Sequence, residues 1–212
     1  MLQKAAVDKS LIDLIVRLQG DPYLSDFVVA GGTALALMLG HRKSVDIDLF
    51  CNTGFDEGRL LEHIESEFDF QMNSISRSTI RGSIGDIRVD LIAHDYPFLR
   101  EPLVMDGVRL LSMEDVAAMK VNAISGDGTR VKDFIDIYFL LREFSFKDIL
   151  GFFSKKYSSR NNAHALKSLA WFDDADVNDW PVMIKEPNLT FRKVKKEITT
   201  HLRTFLAREG IS

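Results

Sequence analysis

The sequence has a single cysteine and no apolar run long enough to cross a membrane. Because Cys51 has no second cysteine to pair with, an internal disulfide and a cysteine-based zinc cluster are both excluded. No stretch approaches the roughly 20 apolar residues of a membrane helix, and charges break the amphipathic pattern of residues 1–19, unlike a signal peptide. We therefore expect a soluble, cytoplasmic protein with no membrane partner.

An excess of positive charge is also absent. The 27 Lys and Arg residues against 31 Asp and Glu give a net charge of -4, which argues against a protein that coats nucleic acid nonspecifically. Residues 1–141 carry 14 basic against 22 acidic side chains, whereas residues 142–212 carry 13 against 9. An acidic front half suits a metal site and a basic back half suits a polyanion, with chance surface composition as the alternative.

The spacing of apolar residues predicts an α/β front half and an all-helical back half. Strands are indicated at residues 27–30, 45–49, 70–76, 79–84, 87–93 and 108–111. Helices are indicated at residues 11–18, 33–39, 56–68, 112–124, 131–142, 146–153, 163–169 and 191–206. A chain of 212 residues can hold a catalytic core with an appendage, and we predict a core at 1–112 and a helical region at 113–212.

Two glycines mark the junction between the first strand and the second helix. Gly31 and Gly32 would let a phosphate approach the backbone closely, and the helix start offers unpaired N–H groups. The hydroxyl of Thr33 can add a hydrogen bond to a phosphate oxygen. By itself the motif is weak, because two glycines before a helix more often form only a tight turn.

Two aspartates interrupt the next apolar strand. Asp46 and Asp48 alternate with Val45, Ile47 and Leu49, so we expect the carboxylates on one face and the apolar side chains on the other. Two unit charges about 4 Å apart repel by roughly 4 kcal/mol at an effective dielectric near 20, and a shared divalent cation would replace that repulsion by coordination. Hard oxygen ligands with open positions favour Mg²⁺. A solvated strand face is the alternative interpretation.

A third carboxylate, Asp90, lies in the predicted strand at 87–93, on the face shared with Arg88. If this strand lies beside the one with Asp46 and Asp48, the three carboxylates can surround two cations that activate a hydroxyl and stabilise the departing pyrophosphate. Asp90 is then also a candidate base. Asp86 is a rival, but its position next to a glycine is that of a turn residue.

Lys120, Asp133 and Asp136 are candidates in the back half. Lys120 stands among apolar neighbours in a predicted helix, where it either reaches the triphosphate or extends to solvent. Asp133 and Asp136 are three residues apart and so share a helix face. Three roles are open for these two aspartates: they could orient Lys120, contact the nucleotide, or stabilise the positive end of their own helix.

Three ordered stretches resemble the AbiEii/AbiGii toxin family of nucleotidyltransferases. They are residues 31–37, 41–50 and 89–92, and Lys120, residues 132–141 and residues 168–175 are similar to the family's later motifs. The resemblance covers nearly all of the chain after about Asp21. The ordered combination is far more specific than any one motif.

The resemblance implies an α/β (α+β) fold, a polymerase-beta-like nucleotidyltransferase core with a mixed sheet, followed by a helical C-terminal region. It also implies Mg²⁺ and a nucleoside triphosphate. Members act as toxins of toxin–antitoxin or phage-abortive systems, and some relatives add nucleotides to transfer RNA acceptor ends. The resemblance thus implies a toxin with an RNA acceptor, expected to be transfer RNA, and a cognate antitoxin.

The family's motifs carry over by position to twelve residues of this chain. The catalytic positions are Asp46, Asp48, Asp90, Lys120, Asp133 and Asp136, of which the first three would bind metal. The substrate-binding positions are Gly31, Gly32, Thr33, Arg42, Ser44, Lys120 and Lys132. Thr33 departs from the serine that related transferases often carry.

Two other functions remain open from the sequence. The same metal site serves any hydroxyl acceptor, so a protein or small-molecule acceptor is the second enzymatic hypothesis. A non-catalytic nucleotide-binding regulator is the third.

Overall fold

A mixed seven-stranded sheet organises the first half of the chain. In the computed structural model, which describes residues 1–158 and 160–210, the chain divides into two units, Met1–Ser112 and Met113–Ser212. The strands of the first unit are β1 (Val28–Val29), β2 (Ile47–Cys51), β3 (Gln71–Ser76), β4 (Thr79–Ile84), β5 (Ile87–Ala93), β6 (Leu103–Met105) and β7 (Val108–Leu110). Its α-helices are α1 (Lys9–Gly20), α2 (Gly31–Leu39) and α3 (Glu57–Phe68).

The strand order is β3-β4-β5-β2-β1-β7-β6. Strands β2 and β5 run parallel in the middle, β1 is antiparallel to β2, and the β4–β5 hairpin is antiparallel. Side chains alternate between the two faces of a strand, and Ile47, Leu49 and Cys51 of β2 are accordingly buried. Asp48 therefore lies on the opposite face of β2.

The strand that carries Asp48 begins two residues later than the alternating pattern predicts. Val45 and Asp46 precede β2, and Val45 is 64% exposed, so the prediction of one strand face shared by Val45, Ile47 and Leu49 was wrong at its first residue. The segment before β2 is held by other bonds: the Ser44 N–H donates to the carbonyl of Ala6 over 2.9 Å. A local alternation cannot reveal such a distant anchor.

Helix α2 connects β1 to the segment that precedes β2. Its residues from Thr33 to Leu37 are buried, as expected of a helix without a polar face. The helix ends at Gly40, whose φ of 65° is left-handed and whose N–H donates to the Ala36 carbonyl over 2.7 Å.

The second unit contains helices and no named strand within its described residues. The helices are α4 (Met113–Gly126), α5 (Val131–Leu140), α6 (Phe146–Lys156), α7 (Asn162–Ala170) and α8 (Phe191–Glu209). Helix α4 packs against α5, α6 and α7. Nearly every residue of α5 is buried, as its apolar run predicts. Within the described residues, no helix is both long and apolar enough to cross a membrane.

A buried ion pair joins α4 and α6. The Lys156 ammonium lies 2.7 Å from the Asp115 carboxylate, and both side chains are fully buried. Removing one partner of such a pair leaves an uncompensated buried charge, which costs about 3–5 kcal/mol. The pair therefore contributes to the contact between these two helices.

Candidate active site

The first turn of α2 follows β1 directly and begins with a left-handed glycine. Gly31 has a φ of 62°, and the N-cap residue, Ala30, has no side-chain oxygen that could accept from the first N–H groups of the helix. A Cβ at Gly31 would overlap Oδ2 of Asp48. The backbone N–H groups at the helix start and the Asp48 carboxylate are therefore neighbours, which places an anion-binding feature beside an acidic side chain.

Thr33 and Ser44 connect α2 to the segment before β2. The Thr33 hydroxyl donates to the backbone carbonyl of Asp46, and its oxygen lies 2.8 Å from the Ser44 hydroxyl. Because a hydroxyl has one hydrogen to donate, Ser44 is the donor in the second bond. Thr33 is buried, and these contacts position the Asp46 backbone. A contact of either hydroxyl with phosphate stays a prediction.

The guanidinium of Arg42 lies against the second glycine. A Cβ at Gly32 would overlap Nη2 of Arg42, and Nη1 donates to the Lys43 carbonyl over 3.1 Å. Arg42 is buried at 3% exposure. A fixed positive charge thus adds to the positive end of the α2 dipole.

Asp48 and Asp90 are neighbours across the middle of the sheet. They are register partners on the parallel strands β2 and β5, so their side chains leave the same face. Adjacent strands lie about 4.8 Å apart, a separation that lets one cation bridge two carboxylates. The structure brings these two predicted residues together, and Asp46 lies two residues before Asp48.

Asp90 is held by two arginines that the sequence argument did not place in the site. Nη2 of Arg88 donates to Oδ2 of Asp90 over 3.1 Å, and Nε of Arg81 lies 3.5 Å from the same oxygen. Asp90 is only 4% exposed, whereas the side chains of Arg88 and Arg81 are more than half exposed. The buried carboxylate of Asp90 is therefore paired with two arginines whose side chains are largely exposed to solvent.

The positions of both arginines could have been read from the sequence. Arg88 is two residues before Asp90 and so shares its strand face. The two-residue turn at Gly85 and Asp86 pairs residue 84 with 87, which sets Arg81 opposite Asp90, as the register of β4 and β5 shows. The signal for both arginines is therefore the hairpin register together with the strand face of Asp90.

The side chains around Gly31 and Asp48 fit a hard divalent cation bound together with a phosphate. Within residues 1–158 and 160–210, no group of three or more Asp, Glu, His or Cys side chains could by itself hold a metal ion. Mg²⁺ needs only one or two carboxylates alongside substrate phosphates. A phosphate at Gly31 would meet the carboxylate of Asp48, and a cation between them would relieve that repulsion. Asp48 is the carboxylate that this contact places beside such a cation, and Asp46, two residues earlier in the chain, stays a predicted donor.

Lys120 forms a buried cluster with two aspartates in the second unit. Its ammonium lies 2.6 Å from Asp133 and 2.8 Å from Asp136, and all three side chains are at most 7% exposed. Lys120 therefore does not extend to solvent, and the contacts are those expected if the aspartates orient the lysine. Lys132 forms a partly exposed salt bridge of 2.8 Å with Asp179.

The mixed sheet, with a glycine turn beside register-paired aspartates, is the arrangement of a nucleotidyltransferase fold. The structure resembles the nucleotidyltransferase toxin MenT4 of Mycobacterium tuberculosis with a TM-score of 0.61, at 13% identity, over 91% of this chain and 80% of that one. It resembles JHP933 of Helicobacter pylori with a TM-score of 0.56, at 18% identity, over 94% and 90% of the two chains. The predicted polymerase-beta-like α/β class is confirmed.

Sequence comparison identifies the family. An uncharacterised protein of Aquifex aeolicus (strain VF5) is 32% identical over 157 residues, covering 71% of this chain and 76% of that protein. The family model described as nucleotidyl transferase AbiEii toxin, type IV toxin–antitoxin system, matches residues 13–100 and 82–205. The chain belongs to this family, as the sequence motifs predict.

Proposed function

We propose that this protein is a Mg²⁺-dependent nucleotidyltransferase toxin that transfers a nucleoside monophosphate from a nucleoside triphosphate to RNA, with transfer RNA as the expected acceptor. The observation that carries the proposal is the register pairing of Asp48 with Asp90, with Asp48 lying directly against the glycine that begins α2. Membership of the toxin family supports the transfer reaction. The basic back half supports a polyanionic acceptor.

The residues of the first unit supply binding and orientation. The N–H groups at Gly31 and Gly32, with the guanidinium of Arg42, would bind the triphosphate. Asp46 and Asp48 would hold Mg²⁺, which supplies charge neutralisation for the departing pyrophosphate and activation of the attacking hydroxyl. Asp90 would accept the proton of that hydroxyl once its oxygens are free of the arginines.

The identity of the acceptor molecule distinguishes the proposal from its alternatives. Purified protein is incubated with each labelled nucleoside triphosphate, Mg²⁺ and total RNA, and the label is followed in RNA, protein and small-molecule fractions. We expect label in RNA, and its loss by at least about a hundredfold in Asp48→Asn, because a metal ligand is removed. Asp86→Asn, in the hairpin turn, is the matched control and should retain activity.

Other results of this assay have definite meanings. Label in protein or in a small molecule would replace the RNA acceptor by another hydroxyl. Nucleotide binding without pyrophosphate release in any fraction would identify a regulator instead of an enzyme. Equal labelling by wild type and Asp48→Asn would refute the proposed site.

An antitoxin partner is part of the proposal, since the family is assigned to a type IV toxin–antitoxin system. Expression of the chain alone should arrest growth of the host. Coexpression with a neighbouring regulator-like gene should restore growth, whereas arrest that persists with every neighbouring gene would argue against a cognate antitoxin.

A further inference from the structure

The contacts of Asp90 define a state of the site in which arginine side chains compete with a metal ion for this carboxylate. Arg88 donates to both oxygens of Asp90, over 3.4 Å from Nε to Oδ1 and 3.1 Å from Nη2 to Oδ2. Arg81 approaches Oδ2 as well, at 3.5 Å. A planar guanidinium bound through two N–H groups is a well-matched partner of a carboxylate. Each oxygen of Asp90 therefore already accepts a hydrogen bond from a positive group, with which a cation would have to compete.

The same guanidinium lies close to a second aspartate. Arg88 and Asp90 are two residues apart on β5 and so share a strand face, and Asp90 is the register partner of Asp48 on β2. Arg88 therefore places a positive charge on the sheet face that carries both carboxylates. A divalent cation was predicted from the sequence at this position.

The side chain of Arg88 can move away from Asp90 without disrupting the sheet. Its side chain is 57% exposed, whereas that of Asp90 is 5% exposed. Strand β5 holds its backbone through the register with β2 and β4, which does not depend on the guanidinium. A long side chain on the exposed part of a strand can therefore reorient while Asp90 stays in place.

We propose that Arg88 is an internal counter-cation, which occupies Asp90 in the free protein and is displaced when a metal-bound nucleotide enters, after which its guanidinium binds phosphate oxygens. This inference rests on the proposed function, because it assumes that Asp90 faces the metal and the nucleotide. It makes Arg88 a positioning residue that keeps the site closed to metal alone. The free enzyme then binds Mg²⁺ poorly until a nucleotide supplies the phosphates.

The test measures two affinities that should change in opposite directions. Mn²⁺ is titrated into nucleotide-free protein, and the free ion is counted by electron paramagnetic resonance. We expect Arg88→Gln to bind Mn²⁺ about tenfold more tightly than wild type, since a competing positive charge is gone. A non-hydrolysable nucleoside triphosphate with Mn²⁺ should instead bind about tenfold more weakly, because a phosphate contact is lost.

Three further variants separate this exchange from a structural role. Arg88→Lys keeps the charge and should retain the weak Mn²⁺ binding of wild type. Arg81→Gln removes only the single contact and should raise the Mn²⁺ affinity by less. Arg59→Gln, which pairs with Asp56 at the start of α3, is the matched control and should change neither affinity.

The outcomes distinguish the inference from the proposed function. Mn²⁺ binding by wild type that is unchanged or weakened in Arg88→Gln would overturn the inference and leave the metal site intact. No Mn²⁺ binding in any variant, with or without nucleotide, would overturn the metal site and the inference with it. If Arg88→Gln does not fold, an unchanged Mn²⁺ affinity in Arg81→Gln would overturn the inference.

Discussion

Gly31 satisfies two constraints that no other residue type can meet together. Its φ of 62° is disfavoured for residues with a side chain, and the position of a Cβ there is already taken by the Asp48 carboxylate. The residue that appeared in the sequence as half of a weak motif is therefore the contact point between the helix start and the proposed metal ligand.

Gly31→Ala should weaken both folding and nucleotide binding. The left-handed backbone alone costs about 1–2 kcal/mol with a side chain, and the added methyl group must displace the carboxylate of Asp48. We expect a lower melting temperature, measured by circular dichroism, and loss of nucleotide binding by isothermal calorimetry. Gly54→Ala is the control, because no atom lies within 4 Å of its Cβ position. Wild-type nucleotide affinity in Gly31→Ala would contradict this account.

Asp90 shows which features of a site residue can be predicted from the sequence and which cannot. Its sequence position and strand face were predicted, and the pairing with Asp48 needed only the assumption that the two strands are adjacent. The hairpin register places Arg88 and Arg81 beside it, but the burial of Asp90 that makes them its partners follows only from the packed structure. The sequence suggested that Asp90 is a metal ligand without a protein partner. In the folded chain, two arginines neutralise its carboxylate.

At the scale of elements, the strands with clear turns were predicted at their observed bounds. Gly85 and Asp86 mark the hairpin, and β4 and β5 occupy residues 79–84 and 87–93 as predicted. Strand β6 was missed, because its three residues are too few to show a period and Val104 is 69% exposed. Alternation locates a strand when one of its faces is buried, and β6 offers little of that signal.

Glu186 connects the segment before α8 to α5. Its carboxylate accepts hydrogen bonds from Tyr138 over 2.9 Å, from Lys193 over 2.8 Å and from Arg142. Burial acts to raise the pKa of Glu186, but these bonds outweigh it and lower the pKa from 4.5 to about 2. The ionised form is therefore stabilised by folding.

The stabilisation from Glu186 should depend on pH. A carboxyl group with a depressed pKa stabilises the fold fully above its unfolded pKa, and this contribution is lost as pH falls from 4.5 towards about 2. At pH 7, Glu186→Gln should reduce the free energy of unfolding by about 1–2 kcal/mol, a shift of roughly 2–8 °C in Tm. The difference from wild type should shrink between pH 4.5 and pH 2 in urea titrations.

A matched control is available on the surface of the same unit. Glu143 is exposed and forms no side-chain hydrogen bond or ion pair with a described residue, so Glu143→Gln should change the free energy of unfolding little at any pH. A difference between wild type and Glu186→Gln that stays constant from pH 7 to pH 3 would show that the charge of Glu186 is not what stabilises this connection.

At the scale of the whole molecule, the uneven charge has a definite location. Arg192, Lys196 and Arg203 lie on one exposed face of α8, opposite Val194 and Ile198, which are buried. None of the three forms an ion pair with any described residue. A chain of net charge -4 thus presents a row of positive charges on its last helix.

This face of α8 should contribute to RNA affinity through phosphate contacts. Each contact that is removed should reduce the slope of log K against log salt by about 0.7–0.9. We expect Lys196→Gln and Arg203→Gln together to weaken RNA binding and to lower that slope by about 1.5, measured by fluorescence anisotropy. Lys9→Gln on α1 removes an equal charge per residue and should leave the slope unchanged. An unchanged slope in the double variant would exclude this face.

The charge asymmetry can be counted from the sequence, but the sequence does not show which basic side chains are available to bind a partner. Counting finds basic residues between 142 and 212 without separating Lys193, which is paired with Glu186, from Lys196, which forms no ion pair with a described residue. The burial of Lys120 was also out of reach, since one lysine among apolar neighbours fits either a surface or a core position. Both distinctions require knowing which helices pack together.

Cys51 ends the strand that carries Asp48, and it is the only thiol in the chain. It is buried at 1% exposure, its Sγ lies 3.0 Å from the Thr53 carbonyl, and burial raises its pKa to about 11. At pH 8 only about a thousandth of this thiol is ionised, so reagents that attack thiolates react with it slowly. The rate at which Cys51 is alkylated therefore reports how often the end of the central strand opens to solvent. Mass spectrometry can measure this rate without an added label.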